Sequence, residues 1–336
     1  MKTLSPLILS LLFFSVLRIW RTRNITFDDF DKRATIPLRG LLAIFVVVGH
    51  IDTATSCRSS LLSWLHWSTP AVSVFLFMSG YGYERSFLRK GGAYLKEFIS
   101  RTAIKLFLPF FIAAFVYCGY LFCVEGIVDI GKFVCGLKSG SILFLPHSWY
   151  VIELFLLAII FRVICACRHS LFLAFLIAGV GYAIFRFALG WGTWWWFSIL
   201  AFPIGMAYSR KEVGLKSFIR AYPVQYYSAL AISYLLMVII TCLVPAHTPF
   251  LHEMSYLALG PIVVALHYIG LRVPALFNGI GIISYEVYLT HGIFEEMLKG
   301  VWESPYVFLF CVLGATCILS IALHYLCVIV PKRRGS

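Results

Sequence analysis

The chain is 336 residues long, 61% hydrophobic and only 13% charged, with a mean hydropathy of +0.89. A soluble domain carries about 25% charged residues; here apolar blocks long enough to span a bilayer recur along the whole length, which excludes a water-soluble globular protein. The net charge of +13 is what basic loops on one face of a membrane produce, so nucleic acid is not an expected partner.

Eleven apolar segments follow one another, at 4–20, 36–55, 65–83, 103–124, 143–164, 170–189, 193–209, 224–244, 255–271, 275–297 and 305–330. Only a helix satisfies its own backbone in lipid without closing into a barrel. The expected fold is therefore all-α, a polytopic transmembrane bundle of ten or eleven helices, the number turning on whether 4–20 spans or lies in the interface. Residues 1–30 read as an N-terminal apolar segment (an extra transmembrane helix) and linker, and 31–336 as one transmembrane domain. Segment 4–20 is a poor signal peptide, because Lys2 is the only charge before it and no A-x-A site follows.

Basic residues cluster at Arg18 to Arg39, Arg85 to Lys105, Arg162 and Arg168, Arg210 to Arg220, Arg272, and Lys332 to Arg334. These alternate connections hold 22 of the 28 Lys and Arg, which places them, and the C-terminus, on the cytoplasmic side. Most of the ten cysteines lie inside apolar runs and read as small hydrophobes. Cys165, Cys167 and His169 lack the spacing of a four-ligand zinc site, and no metal is expected. Cys57 and Cys135 fall in outer loops, where an oxidising compartment would allow them to pair.

The polar residues within the apolar runs fall on two levels. In RATIPLRGLLAIFVVVGHI, Arg39 stands near the inner end and His50 near the outer end. Eleven residues at ~100° each return both side chains to one face, ~16 Å apart along the axis. PHSWYVIELF puts His147, Trp149 and Glu153 in the outer half of its segment, and SYEVYLTHGIF carries Ser284, Tyr288 and His291 on one face. His50, His147, Glu153 and His291 thus converge on one depth from three distant parts of the chain, although any one alone reads as an interfacial residue. At the inner level Arg39, Arg85, Arg89, Arg101 and Lys105 could bind phosphates, and each is also what the positive-inside rule delivers without a ligand.

These blocks resemble the acyltransferase-3 family of membrane O-acyltransferases. The resemblance rests on Arg39-x10-His50, on SVFLFMSGYGY at Ser73 to Tyr83, on the basic run ending at Pro109, and on PHSWYVIELF and SYEVYLTHGIF, in family order from about 33 to 297. It implies an acyltransferase that takes an acyl group, acetyl above all, from cytoplasmic acyl-CoA. The implied acceptor is a hydroxyl of an envelope glycan or lipid-linked saccharide, in the inner membrane of a bacterium. His50, Glu153 and His291 would be the catalytic residues. Arg39, Arg85, Arg101 and Lys105 would bind the donor, with His147, Trp149 and Tyr288 on the acceptor side. A transporter or flippase of glycan or lipid intermediates, and a non-catalytic scaffold, are the competing readings; a transporter would show paired broken helices in related halves, and no internal repeat is visible. Oligomeric state is not legible.

Overall fold

A computed structural model describes residues 27–55, 67–126, 140–167, 170–189, 198–244 and 249–332, with Ile25, Gly136, Gly192 and Trp195. Segment 4–20 and the cysteines at 57 and 135 lie outside these residues. The long helices are α1 (Lys32–Thr55), α2 (Ser68–Lys90), α3 (Phe98–Glu125), α4 (Trp149–Ala166), α5 (Leu171–Ala183), α6 (Ala201–Ala221) and α7 (Pro223–Leu243). After them come α8 (Pro249–Tyr256), α9 (Leu259–Tyr268), α10 (Asn278–Ile282), α11 (Ser284–Leu298) and α12 (Pro305–Lys332). No strand occurs among the described residues, and the all-α expectation holds.

Among the described residues, six helical stretches are long and apolar enough to cross a membrane, α8 and α9 counting together as one. Their outward faces carry Phe115, Leu243 and Phe310 at 80%, 77% and 71% exposure, tolerable in lipid and costly in water. Local signals set the ends. Pro223 and Pro305 open α7 and α12, where a missing N–H costs nothing. Ser170 caps α5 by accepting from the Leu173 N–H, and Gly126 closes α3 in the left-handed conformation at φ 74°.

Two expected segments differ in form. Within and beyond the stretch expected at 193–209, α6 runs from Ala201 to Ala221, its polar second half finding partners on α2. The stretch expected at 275–297 is broken at Ile283, between α10 and α11.

Lipid supplies no hydrophobic force between helices, so close backbone approach has to hold them. The most extensive pairing joins α2 and α6. A Cβ on Gly80 would strike the Phe202 carbonyl, and one on Gly205 the Phe77 carbonyl. At a second crossing Gly40 of α1 meets the Phe277 carbonyl and Gly281 of α10 meets the Ile36 carbonyl. That crossing fixes Arg39 beside the start of α11.

Candidate active site

Three imidazoles meet at one end of the bundle. His50 comes from the last turns of α1 and His291 from the middle of α11. His147 precedes α4 in a tight turn where Leu143, Phe144 and His147 all take positive φ, at 51°, 64° and 58°. Such conformations persist only where surrounding contacts over-determine them. Here Ser148 does so, accepting from the Ile142 N–H at 2.7 Å and donating to the Leu145 carbonyl at 2.8 Å. From the other side Gly292 lets α11 press against Pro146 and the His147 ring.

The ring centroids of His50 and His147 lie 3.8 Å apart, those of His50 and His291 5.0 Å, and those of His147 and His291 5.3 Å. Glu295, one turn beyond His291, brings its Oε2 to 3.1 Å from His147 Nε2. One ligand-type atom from each of the four residues lies within 4.8 Å of all the others. His291 and Glu295 are buried, at 1% and 7% exposure.

The protonation of His291 follows from its partner. Its Nδ1 is 2.6 Å from the Tyr288 carbonyl, which can only accept, so Nδ1 carries the hydrogen and Nε2 keeps a lone pair. Nε2 is buried without a hydrogen-bond partner among the described residues.

Beside the cluster runs a cavity of about 300 Å³ whose walls include Arg39, Ser79, Gly82, Tyr150, Ser284 and Tyr288. Tyr288 joins cavity to cluster. Its ring packs edge-on against Tyr150 at 5.1 Å, its hydroxyl donates to the His147 carbonyl, and its own carbonyl holds His291. Arg39 donates to the Thr35 hydroxyl at 3.4 Å and has no carboxylate partner among the described residues. Among the described residues, the cavity therefore has one guanidinium in its wall and no acid, a setting for an anion or a carbonyl dipole.

The inner cations divide differently from expectation. Arg85 is held by Glu212 at 2.9 Å and Asp29 at 3.0 Å, and Lys216 by Glu212 at 3.0 Å. Arg210 pairs with the fully buried Glu84 at 2.8 Å. Tyr81 and Tyr268 also donate to Glu212, each at 2.9 Å. The Arg85 guanidinium holds the Asp29 carboxyl below the usual carboxylate range. Arg85 is thus a strut between α2, α6 and the segment before α1. Arg101, half exposed, has Glu97 at 3.7 Å, and Lys105 is exposed; neither is in the cavity wall.

Of the outer residues, Trp149 is buried against Tyr150 and Trp195. Glu153 is not brought into contact with the imidazoles. Neither of its oxygens has a hydrogen-bond partner among the described residues, and it faces a second, apolar cavity of about 180 Å³ with Ile177 and Ile199. The acid beside the rings is Glu295, which the sequence reading passed over. Its signal was the i, i+4 spacing from His291 on a helix.

Among curated proteins and among solved structures, nothing matches the chain. The acyltransferase-3 family model, described as an acyltransferase domain, matches residues 38–326. That match opens one residue before Arg39 and runs into α12, across the whole cavity and all three imidazoles, and on it the chain belongs to the acyltransferase-3 family and is a multi-pass membrane acyltransferase.

Proposed function

We propose that the protein moves an acyl group, acetyl in the first instance, from cytoplasmic acyl-CoA to a hydroxyl of an envelope glycan or lipid-linked saccharide. It would work in a bacterial inner membrane with its C-terminus cytoplasmic, the orientation that the alternating basic loops favour. One observation carries this reading: Tyr288, in the wall of the Arg39 cavity, holds the His291 imidazole through its own carbonyl and the backbone of His147 through its hydroxyl. At about 300 Å³ the cavity is at the small end for ligands, enough for a pantetheine arm and too little for the nucleotide.

On this reading the nucleotide stays outside, where Arg101 and Lys105 meet its phosphates, and Arg39 lies along the arm. Arg85, already spent on Glu212 and Asp29, supports the mouth without touching the donor. The thioester reaches the imidazoles. His50 takes the proton of the acceptor hydroxyl, and the oxygen attacks the thioester carbonyl. His291 faces the developing oxyanion and donates to it once its Nε2 is protonated. The C–S bond then breaks, and the proton leaves with the CoA thiolate. His147 and Trp149 line the acceptor's approach, and Glu153 shapes that side from behind α4.

The test is transfer by the purified protein in liposomes with acyl-CoA on one side and acceptor on the other. His50→Ala is expected to lower the transfer rate by about 10²–10⁴-fold, the span of general-base assistance, with donor binding and protein level unchanged. Wild-type rates in that variant would remove His50 from the chemistry.

A further inference from the structure

We propose that His50, His147, His291 and Glu295 form a binding site for one divalent transition-metal ion, Zn²⁺ by ligand type. The inference builds on the acyl-transfer reading of the same site, to which it adds a cofactor. Three imidazoles and a carboxylate are a donor set suited to zinc, with metal–nitrogen bonds of ~2.0–2.1 Å. A tetrahedral site with such bonds sets ligand atoms ~3.3 Å apart and ring centroids roughly 5 Å apart.

The geometry is close to that. His291 stands 5.0 and 5.3 Å from the other two rings, and His147 Nε2 lies 3.1 Å from Glu295 Oε2, the length of one edge of the polyhedron. By centroid spacing the His50–His147 pair, at 3.8 Å, has to open by roughly an ångström, and the ligand atoms, now within 4.8 Å of one another, have to draw in toward the ion. His50 sits on a helix and His147 in a turn, so a small ring rotation at His147 supplies it.

A second observation points to the ligand independently. A metal-binding imidazole commonly donates its other N–H to a carbonyl or carboxylate, which fixes the tautomer and aims the lone pair. His291 does this toward the Tyr288 carbonyl at 2.6 Å, and its Nε2 is left buried and unpartnered among the described residues. A buried nitrogen lone pair with nothing to accept is costly, and an ion between the rings would use it. Tyr288 anchors His147 as well, through that residue's carbonyl. No spacing in the sequence announces the site, because its ligands come from α1, the turn before α4, and α11.

The ion would change how the acceptor is activated. Held by the three imidazoles, the ion would supply Lewis acidity to the acceptor hydroxyl, and Glu295 would take that hydroxyl's proton. The acceptor oxygen would then attack the thioester carbonyl as the C–S bond breaks, and Glu295 would return the proton to the leaving thiolate.

The experiment uses the full chain, tag-free, in detergent or nanodiscs. It is stripped with chelator, then titrated with Zn²⁺ and separately with Co²⁺ as a spectroscopic probe. Expected are one ion per chain and the intense visible bands of four-coordinate Co²⁺. His291→Ala and His147→Ala should weaken Zn²⁺ binding at least ~10-fold, while His252→Asn, a histidine outside the cluster, binds as wild type. Because a ligand variant can fail to fold, X-ray absorption at the zinc edge of the wild-type protein is the second readout, and imidazole scattering is expected. Binding far below one ion per chain, sulfur scattering, or affinity unmoved by a folded His291→Ala would each overturn the metal site. The two readings fail separately. Full acyl transfer by a metal-free preparation sinks the ion and keeps the transferase; a bound ion with no transfer from any acyl-CoA does the reverse.

Discussion

The two ends of the bundle handle polar groups in opposite ways. At the inner end Arg85, Arg210 and Lys216 are matched by Glu84, Glu212 and Asp29, with Tyr81 and Tyr268 filling the remaining acceptor sites. At the histidine end His291 Nε2 has no partner among the described residues, while its Nδ1 donates to the Tyr288 carbonyl and the His147 ring meets Glu295. A network paired this densely stiffens a fold and has little left to give a substrate. An under-satisfied one is costly in lipid, and its retention marks where a ligand belongs. Arg39 is the inner-level cation that follows the outer pattern, in a cavity wall without a carboxylate.

That contrast can be broken from either side. Removing a strut should hurt stability more than any single change in the cavity. Glu84→Ala takes the buried carboxylate from beside Arg210, and the loss of one partner of a buried pair costs about 3 kcal/mol at the low end. A clear fall in detergent melting temperature is expected, with the Zn²⁺ or donor affinity of the surviving folded fraction unchanged; an unchanged melting temperature would show that the inner network is not a strut.

Arg39→Ala should invert the signature. A hydrogen bond to a charged group contributes about 1.5–3 kcal/mol, so KM for acyl-CoA is expected to rise roughly 10- to 100-fold with kcat and melting temperature little changed. A fall in kcat alone would move Arg39 out of donor binding. The smallest effect is expected at Asp29, whose side chain is 69% exposed. Asp29→Asn should cost at most ~1 kcal/mol. Its carboxyl is lower in the folded state than in the unfolded, so its stabilisation is present above the unfolded value near 4 and fades as pH falls through the folded one. The variant and wild type should therefore converge in stability under strong acid, and a gap that persists there would assign the effect to something other than charge.

Much of this was legible in the sequence. Apolar length alone located helices in every segment from 36 onward, and the 3.6-residue period put Arg39 below His50 and Tyr288 below His291. Three features escaped for physical reasons. The end of α6 at Ala221 rests on ion pairs with α2, which hydropathy does not see. The break at Ile283 comes from the approach of Gly281 to the Ile36 carbonyl, a contact between distant segments. The exchange of Glu153 for Glu295 as the acid beside the rings depends on where each helix turns its side chains, since Glu153 faces the apolar cavity and Glu295 the cluster. The sequence supplies depth well and azimuth poorly.

Tyr288 carries one more implication. The same residue presents its ring to the Arg39 cavity, fastens the His291 imidazole through its carbonyl and fastens the backbone of His147 through its hydroxyl. An arm pushing on that ring would tug the histidines, so occupancy on one side would be felt on the other. Such a protein is expected to show interdependent saturation curves for its two substrates, and to hold back from spilling the thioester to water until both are seated.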